Sequence, residues 1–362
     1  MKLKHLLLTL LLLILAGVLA GCAGGSTVAS SWPGLAADKN TAYLASGEHV
    51  YAVNIANGTE KWEYPTQADR KTTFYSDPVI SGQDSIIVGS YNNDLYNLNP
   101  DGIVNWTFSG AKNRYVASPL VTDKEIFAPS ADKTVYALDL NGNLLWKFTT
   151  RDEMWAQPAT DPACQCVYLP SMDHHIYALN AQDGSKKWQT EDLGGAIVGN
   201  PSYDEKNGRL YVGTLDKEVI AINVNDGSVP WRAATEGWVW SGPALANGRL
   251  YVGDLDGYFY AFDAANGGKL WELTPDQLDG RIPGKPLVLG NQIYFTSESG
   301  SLHAVGTDGK LLWSKTVGGK LYTPPVAAGD LILVAPMGAD SSLVAFTADG
   351  NQKWSFAPPK QK

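Results

Sequence analysis

The stretch "AFDAANGGKLW" (Ala261–Trp271) has the pattern of a β-hairpin, with an apolar strand, an Asn-Gly-Gly turn and a second strand that ends in tryptophan. Three other segments have the same spacing of alanine, glycine and tryptophan: "AVNIANGTEKW" (52–62), "ALNAQDGSKKW" (178–188) and "AINVNDGSVPW" (221–231). Four further copies have a turn one residue shorter: "NLNPDGIVNW" (97–106), "ALDLNGNLLW" (137–146), "AVGTDGKLLW" (304–313) and "AFTADGNQKW" (345–354). The chain therefore contains one hairpin pattern eight times.

The hairpins mark the end of a longer repeat. Their tryptophans recur every 40 to 44 residues, and a proline recurs with them, from Pro33 to Pro325. Between each proline and its tryptophan lie two more short apolar runs, such as "RLYVG" (209–213) and "EVIAI" (218–222), separated by turn residues. Four short strands in each of eight repeats predict an all-β protein, an eight-bladed β-propeller of four-stranded antiparallel blades over residues 32–358.

Three positions that recur in every repeat, which we call columns, predict how the blades pack. The residue two positions before each proline is always small, which suits innermost strands that converge on the axis. The tryptophan ends the outermost strand, where a large ring can fill the gap between blades that splay apart. The turn glycine predicts a positive φ and a flat surface. We therefore interpret the alanine, glycine and tryptophan of the hairpin as structural residues.

The N-terminus has the features of an export signal. Lys2 and Lys4 precede an apolar run (6–16), and "LAGC" (19–22) follows it. Small residues before a cysteine resemble the lipobox of bacterial lipoproteins, which implies a signal peptide over 1–21 and a lipid on Cys22. Residues 22–31 then form a flexible tether. We expect an exported protein anchored to a membrane, at the periplasmic face of the outer membrane in a host with two membranes and otherwise at the outer face of the cytoplasmic membrane.

Composition excludes several classes of function. The chain has 28 Lys and Arg against 37 Asp and Glu, a net charge of −9, and its low charged fraction and many aromatics are not those of a disordered chain. An acidic chain without a basic patch repels nucleic acid. Only Cys164 and Cys166 follow Cys22, so disulfides do not hold the fold together. The sequence contains no G-x-S-x-G, H-E-x-x-H or P-loop motif.

The repeated motif Ala-x-[Asp/Asn]-x-x-x-Gly-x-x-x-Trp resembles the tryptophan-docking motif of the PQQ-like (quinoprotein-type) β-propellers, over the whole chain from about residue 31. An acidic, lipid-anchored, eight-bladed propeller is similar to the BamB family, the lipoproteins of the outer-membrane β-barrel assembly machinery. The resemblance implies a non-catalytic scaffold whose interblade loops hold a protein partner. It implies a monomeric propeller and no cofactor.

Two other functions remain open at this point. Quinoprotein dehydrogenases share the motif and, as a family, hold PQQ over the axis with calcium, a catalytic carboxylate and usually a disulfide between adjacent cysteines. Here the two cysteines are separated by Gln165, and there is no C-x-x-C-H haem site. Extracellular propellers that bind sugars or cell walls share the same overall pattern.

Two segments resemble metal sites only superficially. In "MDHHIYAL" (172–179), His174 and His175 are expected in a turn at the far end of a hairpin from Cys166, too distant for one coordination sphere. The two cysteines are either free thiols or a local disulfide. In "DLDGYFYAFD" (254–263), the acids lack the spacing of an EF-hand and align with the turn of the other repeats. We predict no metal site.

The loops that lead into each first strand form the predicted partner surface, because propellers usually bind through loops at one end of the axis. Four residues before each proline is an apolar residue, expected to pack between blades, and alternation turns its neighbours away from the core. Those neighbours mix aromatics with charge, as protein interfaces do. An alternative is that the tryptophans only plug the axis. The predicted partner-binding residues are Arg114, Glu153, Trp155, Trp238, Trp240, Arg281, Lys320 and Tyr322.

Overall fold

A computed structural model describes residues 32–82 and 85–359 and contains eight four-stranded sheets, which we call blades 1 to 8. The predicted signal peptide (1–21), Cys22 and the tether (22–31) lie outside the described residues. Within the described ranges, no helix is long and apolar enough to cross a membrane.

The first four blades use the chain up to Gln189. Their strands are β1 (Gly34–Ala37), β2 (Thr41–Ser46), β3 (His49–Asn54) and β4 (Glu60–Tyr64) in blade 1; β5 (Val79–Ile80), β6 (Ile86–Gly89), β7 (Leu95–Leu98) and β8 (Val104–Phe108) in blade 2; β9 (Leu120–Val121), β10 (Glu125–Pro129), β11 (Thr134–Asp139) and β12 (Leu144–Thr149) in blade 3; and β13 (Ala159–Asp161), β14 (Cys166–Pro170), β15 (Ile176–Asn180) and β16 (Lys186–Gln189) in blade 4.

The last four blades follow in the same way. Their strands are β17 (Ser202–Asp204), β18 (Arg209–Thr214), β19 (Glu218–Asn223) and β20 (Trp231–Ala234) in blade 5; β21 (Ala244–Ala246), β22 (Arg249–Gly253), β23 (Phe259–Asp263) and β24 (Lys269–Leu273) in blade 6; β25 (Leu287–Leu289), β26 (Gln292–Thr296), β27 (Ser301–Gly306) and β28 (Leu311–Thr316) in blade 7; and β29 (Val326–Ala328), β30 (Leu331–Val334), β31 (Leu343–Thr347) and β32 (Gln352–Phe356) in blade 8.

Each blade is an antiparallel meander built from one continuous piece of chain. First strands of neighbouring blades contact each other, as β1 does with β5 and with β29, so the first strand is innermost. The second and third strands are almost wholly buried, whereas the fourth strand has exposed and half-buried residues at the rim. The predicted eight-bladed propeller, with strands ordered from the axis outward within each repeat, is confirmed.

The hydrophobic core lies between the blades. Tyr211 and Val219 of blade 5, for example, pack with Leu250 and Val252 of blade 6 in one buried cluster. A four-stranded blade is apolar on both faces because each face packs against a neighbour, and this explains the continuous apolar runs of the second and third strands. Burial of these side chains supplies most of the stability of the ring.

The tryptophan of each hairpin docks on the next blade. The indole of Trp231 in blade 5 lies on Gly267 of blade 6, and its Nε1 donates a hydrogen bond to the carbonyl of Ala264 at 3.3 Å. Gly267 has a φ of 75°, and a Cβ atom there would lie 2.6 Å from the indole ring. The same contact recurs in all eight hairpins, so the predicted structural role of the alanine–glycine–tryptophan pattern is confirmed.

The two other predicted columns also occupy their expected places. The apolar residues four positions before the prolines, among them Met154, Ile197 and Leu321, are fully buried. The small residues two positions before the prolines are buried where inner segments meet: a Cβ on Gly199 would lie 2.3 Å from the backbone of Ser241. Ser31, the first member of that column, lies outside the described residues.

Candidate functional site

The loops that lead into the first strands, which we call the inner loops, are held to two blades at once. In the loop before blade 6, Leu255 N donates to the carbonyl of Trp238 at 2.9 Å, which joins the loop to its own blade. Val239 N donates to the carbonyl of Thr214 at 3.1 Å, which joins the same loop to blade 5. Equivalent bonds hold other inner loops, so their side chains project from a rigid backbone.

Alternation around the buried apolar residue separates the predicted residues into two sets. Trp155, Trp240 and Tyr322 follow it and line a cavity of about 100 Å³ at one end of the axis, which we call the axial cavity. The other five precede it and lie farther out on the same face: Arg114, Glu153, Trp238, Arg281 and Lys320. We call these five the outer set.

The aromatic residues of the axial cavity form a continuous cluster. The ring centroids of Trp155 and Trp240 are 6.3 Å apart, and those of Trp240 and Trp32 are 6.2 Å apart with nearly perpendicular planes. Tyr322 lies 6.1 Å from Trp32. Edge and tilted contacts of this kind stabilise aromatic pairs. Sequence reasoning brought Trp155, Trp240 and Tyr322 together but missed Trp32.

A second column of the repeat, directly before the prolines, also lines the axial cavity. It supplies Trp32, Asp77, Ser118, Asn200 and Lys285. None of these residues was predicted from the sequence, because the predicted site residues belong to other columns of the repeat. The available signal was the repeat itself, because Asp77 and Lys285 are charged residues next to a proline that begins an innermost strand.

Asp77 and Lys285 place two partly buried charged groups on the wall of the axial cavity. Asp77 Oδ1 accepts a hydrogen bond from Leu35 N at 3.0 Å, and burial raises the pKa of this carboxyl to about 6. Lys285 Nζ donates to Ser202 Oγ at 2.9 Å, and burial lowers the pKa of the ammonium to about 8. Lys285 belongs to the loop before blade 7 and Ser202 to blade 5, so this side chain reaches past blade 6.

Part of the outer set forms a charged network around Glu298, a residue that sequence reasoning missed. Glu298 accepts hydrogen bonds from Lys320 Nζ at 2.8 Å and from the Tyr322 hydroxyl at 3.0 Å. Arg281 Nη1 lies 3.7 Å from its other oxygen. The hydrogen bond from Lys320 is the main cause that lowers the pKa of Glu298. The sequence signal was a single acid at a turn position that is apolar in most other blades, such as Leu215 and Leu255.

Each remaining member of the outer set makes separate contacts of its own. Trp155 Nε1 donates to Glu153 Oε2 at 2.7 Å, which links the outer set to the axial cavity. The guanidinium of Arg114 lies 5.3 Å from the ring centroid of Tyr91, in a cation–π contact. Trp238 is 52% exposed and borders a groove of about 240 Å³ together with Leu255 and Arg281.

Asp254, in the segment with closely spaced acids, holds the loop of Trp238. Its carboxylate accepts hydrogen bonds from Gly237 N at 2.7 Å and from the Tyr260 hydroxyl at 2.9 Å. Its other oxygen accepts the N–H groups of Asp256 and Tyr258. The carboxylate therefore fixes a turn, as the sequence alignment of the repeats indicated.

The two cysteines lie at one end of blade 4, and His174 and His175 lie at the other end. Cys164, in the turn before β14, forms a disulfide with Cys166, the first residue of β14, at the end of blade 4 opposite the inner loops. His174 has a φ of 70° in the β14–β15 turn, and its Nδ1 lies 3.1 Å from Asp192. Within residues 32–82 and 85–359, no group of three His, Cys, Asp or Glu side chains is arranged to hold a metal ion.

Comparison with known proteins identifies a family. The sequence profile of the family described as outer membrane protein assembly factor BamB matches residues 74–195, 173–307 and 276–362. The protein of that description from Burkholderia pseudomallei (strain K96243) is 35% identical over 68 residues. That alignment spans 18% of this chain and 17% of the relative's length.

Solved structures share the fold. The crystal structure of BamB from Moraxella catarrhalis superposes with a TM-score of 0.70 at 20% identity, over 87% of this chain and 91% of that one. The computationally designed Ika8 protein gives 0.73 at 14% identity, over 91% and 97%. A europium-containing methanol dehydrogenase gives 0.69 at 14% identity, over 84% of each chain. At these identities the likeness shows the propeller fold alone.

Proposed function

Because this chain belongs to the family described as outer membrane protein assembly factor BamB, we propose that it is a non-catalytic scaffold that binds a protein partner. The proposed role is in the assembly of outer membrane proteins or in maintenance of the envelope. The partner is a protein that docks on the inner loops, and a component of a membrane β-barrel assembly apparatus fits this role.

Trp238 is the observation that carries the proposal. Its indole is 52% exposed although the backbone on either side is fixed by Asp254, Leu255 and Thr214. An exposed tryptophan on a rigid loop loses little conformational entropy when a partner covers it. Tryptophan and arginine are the side chains most enriched among interface residues that dominate binding energy, and Arg281 borders the same groove.

The whole predicted set supports a single docking face. Its axial members present aromatic rings around the cavity mouth, and its outer members add charges of both signs. Such a face combines an apolar centre with a polar rim, as protein interfaces do. We propose that the partner contacts Arg114, Glu153, Trp155, Trp238, Trp240, Arg281, Lys320 and Tyr322.

The proposed location follows from the N-terminal sequence. The protein is exported, acylated on Cys22 after loss of residues 1–21, and tethered to a membrane by residues 22–31. In a host with two membranes the anchor is in the periplasmic leaflet of the outer membrane, and otherwise in the outer leaflet of the cytoplasmic membrane. We also propose that the propeller acts as a monomer; all eight blades come from one chain, so no second chain is needed to complete the ring.

Two features argue against a dehydrogenase function. Calcium needs several oxygen ligands, and within the described residues no three His, Cys, Asp or Glu side chains are grouped to hold a metal ion. The disulfide lies at the opposite end of blade 4, where it cannot contact a group at the cavity mouth. We propose no cofactor, and we expect protein incubated with PQQ and calcium to show no turnover of alcohols or sugars with an artificial electron acceptor.

The partner surface can be tested by photo-crosslinking in intact cells. One variant carries a photoreactive amino acid at Trp238, and a matched variant carries it at Gln165, an exposed residue at the opposite end of the ring. The proposal expects one defined protein to be captured from position 238 and not from position 165. Capture of the same protein from position 165 alone would place the interface on the other face and overturn the proposal.

A further inference from the structure

Lys285 places an ammonium group in the axial cavity without an ion-pair contact to any described carboxylate. Lys285 lines the cavity, and the one hydrogen bond found for its ammonium goes to the neutral hydroxyl of Ser202. Among the described residues, no ion pair joins Lys285 to a carboxylate. Ser202 in turn donates its proton to the carbonyl of Pro243 at 2.5 Å. Two N–H groups of the ammonium therefore remain for another acceptor.

A second polar group nearby lacks a partner. The hydroxyl of Ser241 is buried and lines the same cavity, and no hydrogen-bond partner for it is found in the described part of the chain. A buried hydroxyl without a hydrogen-bond partner costs free energy, and so does a partly buried charge without a counter-charge. A ligand oxygen that accepts hydrogen bonds from both Ser241 and Lys285 removes both of these free-energy costs.

The free donors in the cavity argue for an anion. Asp77, the other charged group that lines the cavity, accepts the N–H of Leu35 and retains acceptor capacity on its other oxygen. The unused hydrogen-bonding groups of Lys285 and Ser241 are donors, and donors bind an anionic acceptor.

The walls of the cavity define the rest of the ligand. Trp32, Trp155, Trp240 and Tyr322 present ring surfaces at the mouth, which favour an apolar group. The cavity opens to solvent and has a volume of about 100 Å³, which has room for a short carbon chain.

We propose that the axial cavity is a carboxylate-binding site, in which Lys285 and Ser241 hold the two carboxylate oxygens and the indoles of Trp155 and Trp240 contact a short carbon chain. The carboxylate has two sources, a free small acid or an acidic side chain of a docked protein. The second source alone rests on the function proposed above.

The first test uses propionate with the full-length protein in a mild detergent, followed by ligand-observed saturation-transfer NMR. Propionate should bind saturably, whereas propionamide, of the same shape without charge, and propylammonium should not. Lys285→Met should raise the dissociation constant about tenfold or more, because a charged hydrogen bond is lost. Ser241→Ala should raise it less, and Lys285→Arg should retain part of the binding.

Lys310→Met is the matched control, because Lys310 is exposed and pairs with Asp308 at the rim. It should bind propionate as the wild type does. Absence of saturable binding to the wild type, equal binding of propionamide, or preferential binding of propylammonium would each overturn the carboxylate site. These measurements involve no partner protein, so failure to find a partner leaves their result intact.

A second test distinguishes the two sources once propionate binding is established. Photo-crosslinking from position 238 is repeated with saturating propionate and with propionamide. Reduced capture with propionate alone supports an acidic side chain of the partner as the occupant. Unchanged capture supports a free small acid, held in the cavity while the partner docks around it.

Discussion

Trp354 Nε1 donates a hydrogen bond to the carbonyl of Ile55 at 2.7 Å, and this contact joins the last blade to the first. The indole also packs on Gly58, where a Cβ atom would lie 2.7 Å from Cε3 of Trp354. The contact has the same form as the seven others around the ring. Closure therefore uses the ordinary interblade contact and needs no strand exchanged between the ends of the propeller.

Gly58→Ala tests this closure. The φ of 74° strains an alanine, and the new methyl group collides with Trp354, so we expect a loss of about 2–4 kcal/mol in the free energy of unfolding. Gly47→Ala is the control for strain, because Gly47 has a φ of 62° and open space around it. Gly47→Ala should cost about 1 kcal/mol. Equal losses for the two variants in urea unfolding would show that Trp354 does not seat on Gly58 as described.

Trp271→Ala tests the same kind of interblade contact between blades 6 and 7, away from the junction of the last blade with the first. The indole bonds to the carbonyl of Thr307 and packs on Gly309 of the next blade, so its removal should cost roughly 3–5 kcal/mol of stability. Trp238→Ala removes an equally large but half-exposed side chain, and we expect a cost of about 0.5 kcal/mol or less. If chemical denaturation shows comparable losses, Trp238 is a structural residue and not a free docking side chain.

The fold could be predicted well from the sequence because each pattern occurs eight times in the chain. The spacing of tryptophan, glycine and proline defined blade number and strand order, and burial of Met154 and Ile197 follows from one alternating pattern. The hydrogen bond from each indole to the next blade could not be predicted in this way. It depends on how two blades are oriented, which no local pattern encodes.

The site was predicted less completely for a related reason. Trp155, Trp240 and Tyr322 were predicted to lie on one loop face because they share a repeat position. Glu298 and Lys285 each differ from the equivalent residues of other blades, and their contacts cross between elements: Lys285 reaches from the loop before blade 7 to Ser202 in blade 5. Contacts of this kind, between segments far apart in the sequence, can be identified only from the three-dimensional structure.

Asp77→Asn should change the dependence of stability on pH. Burial raises the pKa of Asp77 from 3.8 to about 6, so the folded state binds this proton more tightly than the unfolded state between those values. Stability that Asp77 contributes below about pH 4 is therefore lost as the pH rises to about 6. Asparagine keeps the acceptor for Leu35 N and carries no charge, so the variant should be more stable than the wild type above pH 6, by roughly 2–3 kcal/mol.

The difference between Asp77→Asn and wild type should disappear below about pH 4. Asp330→Asn, which changes an exposed acid, is the control and should retain the wild-type profile in thermal unfolding from pH 3 to pH 8. A variant that is equally stabilised at pH 3 and pH 8 would show that the charge of Asp77 is not the cause.

Alanine substitutions on the inner loops test the partner surface directly. Trp238→Ala should weaken binding of the purified partner by about 2 kcal/mol, because the exposed indole loses its whole contact area with the partner. Trp155→Ala should have a similar effect, whereas Lys320→Ala should cost less, since the exposed ammonium of Lys320 is already paired with Glu298 at 2.8 Å and remains hydrated at the rim. The measurement is the dissociation constant of the partner identified by crosslinking, determined at equal fractions of folded protein. If Lys320→Ala weakens binding more than Trp238→Ala does, charged side chains and not the aromatic ones supply the binding energy, and the docking surface proposed around Trp238 is wrong.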